Sequence, residues 1–114
     1  MSGVVIVVVD DMFFASKIRA VAEALGVEIS FPRNKDALIE KARQARVVLV
    51  DLHNQKMDPM ELAKDLSGMK LIGFFSHVEV ELQRKAVEAG YAQVLPRSAF
   101  VRDLPKILAT DNAD

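Results

Sequence analysis

Cysteine is absent from the 114 residues. That excludes disulfides, thiolate metal sites and a cysteine nucleophile. Strong charge of either sign is also missing, since 15 basic residues against 16 acidic ones leave a net charge of -1. Direct binding to nucleic acid or to an anionic membrane surface is therefore not expected. No apolar run has the length needed to span a bilayer. The first residues lack a basic stretch and a small-residue cleavage site, so no secretory leader is expected. A G-x-G-x-x-G fingerprint and a P-loop are both missing. So are linkers, internal repeats and low-complexity stretches.

What is present reads as a globular chain. Hydrophobic residues make up 51% and charged residues 27%. The length fits one domain over residues 1–114, large enough to bury a core without staples. A cytoplasmic protein is the expectation, with residues 109–114 as a frayed tail.

Five short apolar runs punctuate the sequence: Val4–Val9, Val27–Phe31, Val47–Val50, Leu71–Phe75 and Ala92–Leu95. They show little polar alternation, as strands buried on both faces of a parallel sheet do. Helical spacing fills the gaps. Phe14, Ile18, Val21 and Leu25 recur every three or four residues, and Gly26 stops that helix. Asn34 caps a second helix that turns Leu38, Ile39 and Ala42 inward. Asp58, Pro59 and Glu61 start a third, which buries Leu62 and Leu66 and ends at Gly68. A fourth spans about Glu79 to Glu88, before Gly90. A fifth begins near Leu104–Pro105 and buries Ile107 and Leu108. Strand then helix, five times over, predicts a doubly wound α/β parallel sheet with right-handed crossovers.

Function in such sheets collects at the carboxyl ends of the strands. Asp10 and Asp11 follow the first run and Asp51 follows the third. Ser76 and His77 follow the fourth, and Pro96 and Arg97 the fifth. Neighbouring strands are about 4.8 Å apart, so three carboxylates are expected to converge. Converging carboxylates need a positive charge, and Mg²⁺ takes carboxylate oxygens while keeping several waters. A hydroxyl and a guanidinium beside them suit a phosphoryl group. Asp10 and Asp11 can both face this pocket only if the strand stops before them, because successive side chains alternate.

Each residue also has a plainer role. Asp favours turns and caps, and Asp11 sits where it can cap the first helix. Ser76 stands three residues before Glu79, which reads equally as a capping box. Arg97 can simply pair with the acids, and His77 can be a surface or structural histidine. Met57 and Met60 read as packing around the third helix. The charges of "NKDALIEKARQAR" read as a solvated helix face.

Taken together, these strand-end residues resemble the receiver domain of two-component response regulators, over essentially the whole chain. The matching motifs are the acidic pair Asp10–Asp11, Asp51 in "VVLVDLHN", Ser76 in "GFFSH" and Arg97 in "VLPRSAF". The resemblance implies a flavodoxin-like sheet in strand order 2-1-3-4-5. It implies a signalling domain rather than an enzyme, with at most self-phosphorylation and self-dephosphorylation. Asp51 would accept phosphate from a histidine kinase, a phosphotransfer protein or a small phosphodonor. Asp11, Asp51 and the backbone carbonyl of His53 would hold Mg²⁺, with Asp10 acting through water. Ser76 and Arg97 would contact the phosphate and switch the fourth strand–helix region. The output would be a downstream protein partner, and dimerisation through the fourth and fifth elements is common in the family.

Several positions depart from the family pattern. Arg97 replaces its lysine, and a planar fork is not equivalent to a compact ammonium. Ser98 stands where the family has proline, and Val94 where many members have an aromatic switch residue. Tyr91 is too far upstream to replace it. His77 stands where a small residue is usual, so its bulk is expected to narrow the entrance to the pocket. The segment from Asp51 to Ser76 is short and lacks the usual proline after the acceptor. These departures favour an alternative, a pseudo-receiver that binds partners without phosphorylation. A flavin carrier would need a Ser/Thr-rich loop after the first strand, and "DDMFFASK" instead repels phosphate.

Overall fold

A computed structural model describes residues 3–109. Five strands alternate with five helices: β1 (Val4–Val8), α1 (Met12–Leu25), β2 (Ile29–Ser30), α2 (Lys35–Ala42), β3 (Ala45–Asp51), α3 (Pro59–Asp65), β4 (Leu71–Phe75), α4 (Val80–Ala89), β5 (Gln93–Pro96) and α5 (Arg97–Ala109). The strands form one sheet in the order β2-β1-β3-β4-β5. All four pairings are parallel. This is the flavodoxin-like doubly wound fold expected from the sequence.

The unbroken apolar runs follow from burial on both faces. Val4, Ile6, Val8, Val48 and Val50 point to a layer holding Leu38 and Ala42 of α2, Leu62 and Ala63 of α3 and Ala86 of α4. Val5, Val7, Val47 and Leu49 point the other way, onto Phe14, Ile18 and Ala22 of α1 and Phe100, Leu104 and Leu108 of α5. Strand alternation thus divides one β-branched run between two cores.

The helix starts obey their local signals. Asn34 accepts the Ala37 amide at 2.8 Å. Asp58 accepts the Met60 amide at 2.9 Å, with Pro59 at the first helical position. Gly26 closes α1 at φ 69°, a left-handed turn that side chains resist. Gly73 serves close approach instead. A Cβ there would lie 2.9 Å from Leu52 and 3.1 Å from Tyr91, the residues that pack over the middle of β4.

Other boundaries differ from expectation. The fifth helix begins at Arg97 rather than near Leu104, and Pro105 lies inside it. Phe100, Leu104 and Leu108 are buried along one side, and that burial outweighs the backbone hydrogen bond Pro105 cannot donate. Ile39 was expected inward but is 40% exposed, because α2 turns only Leu38 and Ala42 to the sheet. Leu25 is exposed as well. The second strand shrinks to two residues at the sheet edge. Ala109 closes α5, and the rest of the expected tail, residues 110–114, lies outside the described residues.

Candidate functional site

β1 ends at Val8, so Asp10 and Asp11 are free of strand alternation. Asp11 is the N-cap of α1. Its Oδ1 accepts the amides of Phe13 at 2.9 Å and Phe14 at 3.1 Å. Its Oδ2 accepts from Nη2 of Arg97 at 3.1 Å. The Phe14 amide, then the Arg97 guanidinium, holds this carboxyl below the usual carboxylate range.

Arg97 is the first residue of α5, and a second contact fixes it. Its guanidinium carbon lies 3.9 Å from the centroid of the Phe14 ring. Phe14 is itself buried, 5.3 Å from Phe74 and 6.0 Å from Phe100 between ring centroids. Phe74 and Phe100 stack at 4.3 Å. The cation therefore rests on an aromatic platform built by α1, β4 and α5.

Asp51 is the last residue of β3 and is half-buried. Its Oδ1 accepts the His53 amide at 2.9 Å, and its Oδ2 takes no hydrogen bond from a described residue. Burial pushes its carboxyl up, the His53 amide and the charges of His53 and Arg97 oppose this, and Asp10 adds to it. Asp10 is exposed, and its Oδ2 accepts the Gln55 amide at 3.2 Å. That bond ties the end of β1 to the loop after β3.

Asn54 organises the same loop. Its Nδ2 donates to the Asp51 carbonyl at 2.7 Å, and its Oδ1 accepts the Met57 amide at 2.9 Å. It is the buried polar residue among those described.

Ser76 lies just past β4, exposed, and its side chain makes no hydrogen bond among the described residues. The capping box considered for it does not form. α4 starts at Val80, and Glu79 holds the cap position without a side-chain bond. The His77 ring meets the His53 ring edge-on at 5.3 Å. His53 Nδ1 lies 3.9 Å from Glu79 Oε2, and its Nε2 is buried without a hydrogen-bond partner among the described residues.

The structure thus joins Arg97 to Asp11, His53 to both Asp51 and His77, and Asp10 to the β3–α3 loop. It links Ser76 to none of them by a hydrogen bond.

The carboxylate oxygens have the hard-ligand chemistry that Mg²⁺ prefers. Their arrangement does not fit the ion. Among the described residues no group of three His, Cys, Asp or Glu side chains is placed to hold a metal. Asp11 has both oxygens engaged, one by its own helix and one by Arg97.

Two working residues escaped the sequence reading. Asn54 stands in "DLHN", and an Asn just after a strand is a turn signal that could have marked it. Phe14 reads only as a core residue of α1, since no local pattern announces a cation held across the fold.

Neither a family model nor a curated protein matches the sequence. Solved structures do. A CheY-like receiver domain protein from Methanospirillum hungatei superposes with a TM-score of 0.77 at 19% identity, covering 94% of this chain and 90% of that one. A response regulator from Burkholderia pseudomallei, solved with a phosphorylated aspartic acid and a calcium ion, gives 0.75 at 20% identity over 96% and 68%. The receiver domain of a DNA-binding response regulator from Colwellia psychrerythraea gives 0.75 at 14% identity over 96% and 100%. The chain has the fold of response regulator receiver domains.

Proposed function

We propose that this chain is a receiver-type signalling domain that accepts a phosphoryl group on Asp51 and passes the signal to a partner protein. The donor would be the phosphohistidine of a histidine kinase or of a phosphotransfer protein. One observation carries the reading. Asp51 ends the middle strand with one oxygen fixed by the His53 amide and the other without a hydrogen bond. That second oxygen is the nucleophile. It bonds to phosphorus as the P–N bond to the donor imidazole breaks, and the imidazole takes up a proton. Arg97 is the cation whose field reaches Asp51, and its fork suits phosphate oxygens. The receiver fold supports the reading, as does the phosphorylated aspartic acid of the Burkholderia pseudomallei protein.

Incubation with acetyl phosphate, with and without Mg²⁺, followed by intact-mass measurement tests it. The expected result is a gain of one phosphate that disappears in Asp51→Asn. Unchanged mass under both conditions overturns the proposal.

One contact favours the alternative, a pseudo-receiver that works by protein binding alone. Arg97 neutralises Asp11 without any ligand, so the acids have a structural role to keep. Partner capture that is indifferent to Asp51→Asn and to phosphodonor supports that second reading. Among the described residues no helix is long and apolar enough to cross a membrane.

A further inference from the structure

The acids and the aromatic platform together raise a question of competition. Asp11 is one of the two carboxylates expected to hold a divalent cation directly. It is engaged by Arg97 at 3.1 Å. Arg97 is not a loose surface cation. Its guanidinium lies 3.9 Å over the ring of Phe14, and Phe14 is wedged against Phe74 and Phe100. The side chains of Arg97 and Asp11 are 36% and 43% exposed.

 A group held by a carboxylate on one side and a π face on the other loses both contacts when it leaves.

We infer that Arg97, clamped between Asp11 and the face of Phe14, is a resident counter-ion that competes with a divalent cation for the acidic pocket. The inference rests on reading the strand-end acids as a receiver site, but not on phosphate transfer taking place. It assigns Phe14 a positioning role: the ring touches no ligand and acts through Arg97. While the guanidinium stays on Asp11 that carboxylate is withheld from a cation, and the Phe14 face sets how firmly it stays.

Calorimetric titration of the full chain with Mg²⁺ tests this. Arg97→Ala should bind Mg²⁺ about tenfold more tightly than the wild type, the combined worth of an exposed ion pair and a cation–π contact. Loss of a positive charge alone would also tighten binding, so Phe14→Leu decides the clamp. It keeps every charge and removes the face, and should tighten Mg²⁺ binding by about threefold. Phe14 is buried, so a variant that fails to fold is replaced by a measurement on the wild type. The Arg97 Nε–H resonance should shift as Mg²⁺ is added.

A Phe14→Leu affinity equal to wild type overturns the clamp, as does an Arg97 resonance that stays still while Mg²⁺ binds. Absence of Mg²⁺ binding in both wild type and Arg97→Ala overturns it too, because the guanidinium is then not what withholds the pocket. Phosphate uptake at Asp51 is scored separately by mass, so failure of either reading leaves the other standing.

Discussion

Nη2 of Arg97 donates to Oδ2 of Asp11 across 3.1 Å, joining the first residue of α5 to the cap of α1. The two helices lie on the same face of the sheet and share one apolar layer. Asp11 therefore does two things at once. One oxygen satisfies the open amides of a helix start, and the other neutralises a cation.

Two substitutions separate those roles. Asp11→Asn keeps a good capping side chain and loses the charge, whereas Asp11→Ala loses both. Thermal unfolding at neutral pH should place Asp11→Asn a small step below wild type and Asp11→Ala several degrees lower still. The pH dependence has a fixed sign. The Asp11 carboxyl is lowered in the folded chain, so its stabilising contribution is present above the ordinary carboxylate range and is lost as pH falls through the lowered value. The gap between wild type and Asp11→Asn should therefore close in acid. A gap that is constant with pH contradicts this.

Asp51 should behave in the opposite way. Its carboxyl is raised by burial, so the folded chain disfavours the charged form. Asp51→Asn removes that cost while its amide oxygen still accepts the His53 N–H. The variant should be more stable than wild type at neutral pH by about 1 kcal/mol, a common size for removing a desolvated charge. The folded form holds its proton more readily than the unfolded chain, so wild-type Asp51 costs least below the ordinary carboxylate range. The advantage of Asp51→Asn should shrink as pH falls and grow as pH rises through the raised value. Urea unfolding at several pH values measures it, and a less stable Asp51→Asn at neutral pH counts against a desolvated acid.

The sequence made the sheet legible because the fold's main demand is local. A strand buried on both faces must be apolar at every position, and Val4–Val8 and Leu71–Phe75 announce themselves in that way. Caps are equally local, so Asn34 and Asp58 could be read directly. The start of α5 could not. Pro105 looks like a helix start, and only the burial of Phe100 against Phe74 shows that the helix is already under way. The same limit applies to the site. Asp10, Asp11, Asp51 and Arg97 stand at strand ends that any reading of this fold would inspect. Arg97 rests on the ring of Phe14, 83 positions away in the chain (97 − 14). No spacing rule carries that.

Asn54 offers the last test, because its side chain braces the loop that follows Asp51. Its side chain donates to the Asp51 carbonyl at 2.7 Å and accepts the Met57 amide at 2.9 Å, in a place that is 7% exposed. Asn54→Ala leaves the Met57 amide without its acceptor, while the Asp51 carbonyl keeps the backbone N–H of residue 54 at 3.1 Å, so the expected loss is about 1 to 3 kcal/mol. Asn54→Asp keeps the acceptor for Met57 but loses the donor to Asp51, and it adds a negative charge beside that acid. It should fall between wild type and Asn54→Ala in stability at low pH, where an added carboxyl is neutral and can donate again. Hydrogen exchange should show faster opening of residues 52–57 in Asn54→Ala, with β1 and β4 unchanged. If the whole sheet loosens equally, Asn54 is a general packing residue. If only the loop opens and phosphate uptake at Asp51 falls with it, the buried amide positions the acceptor.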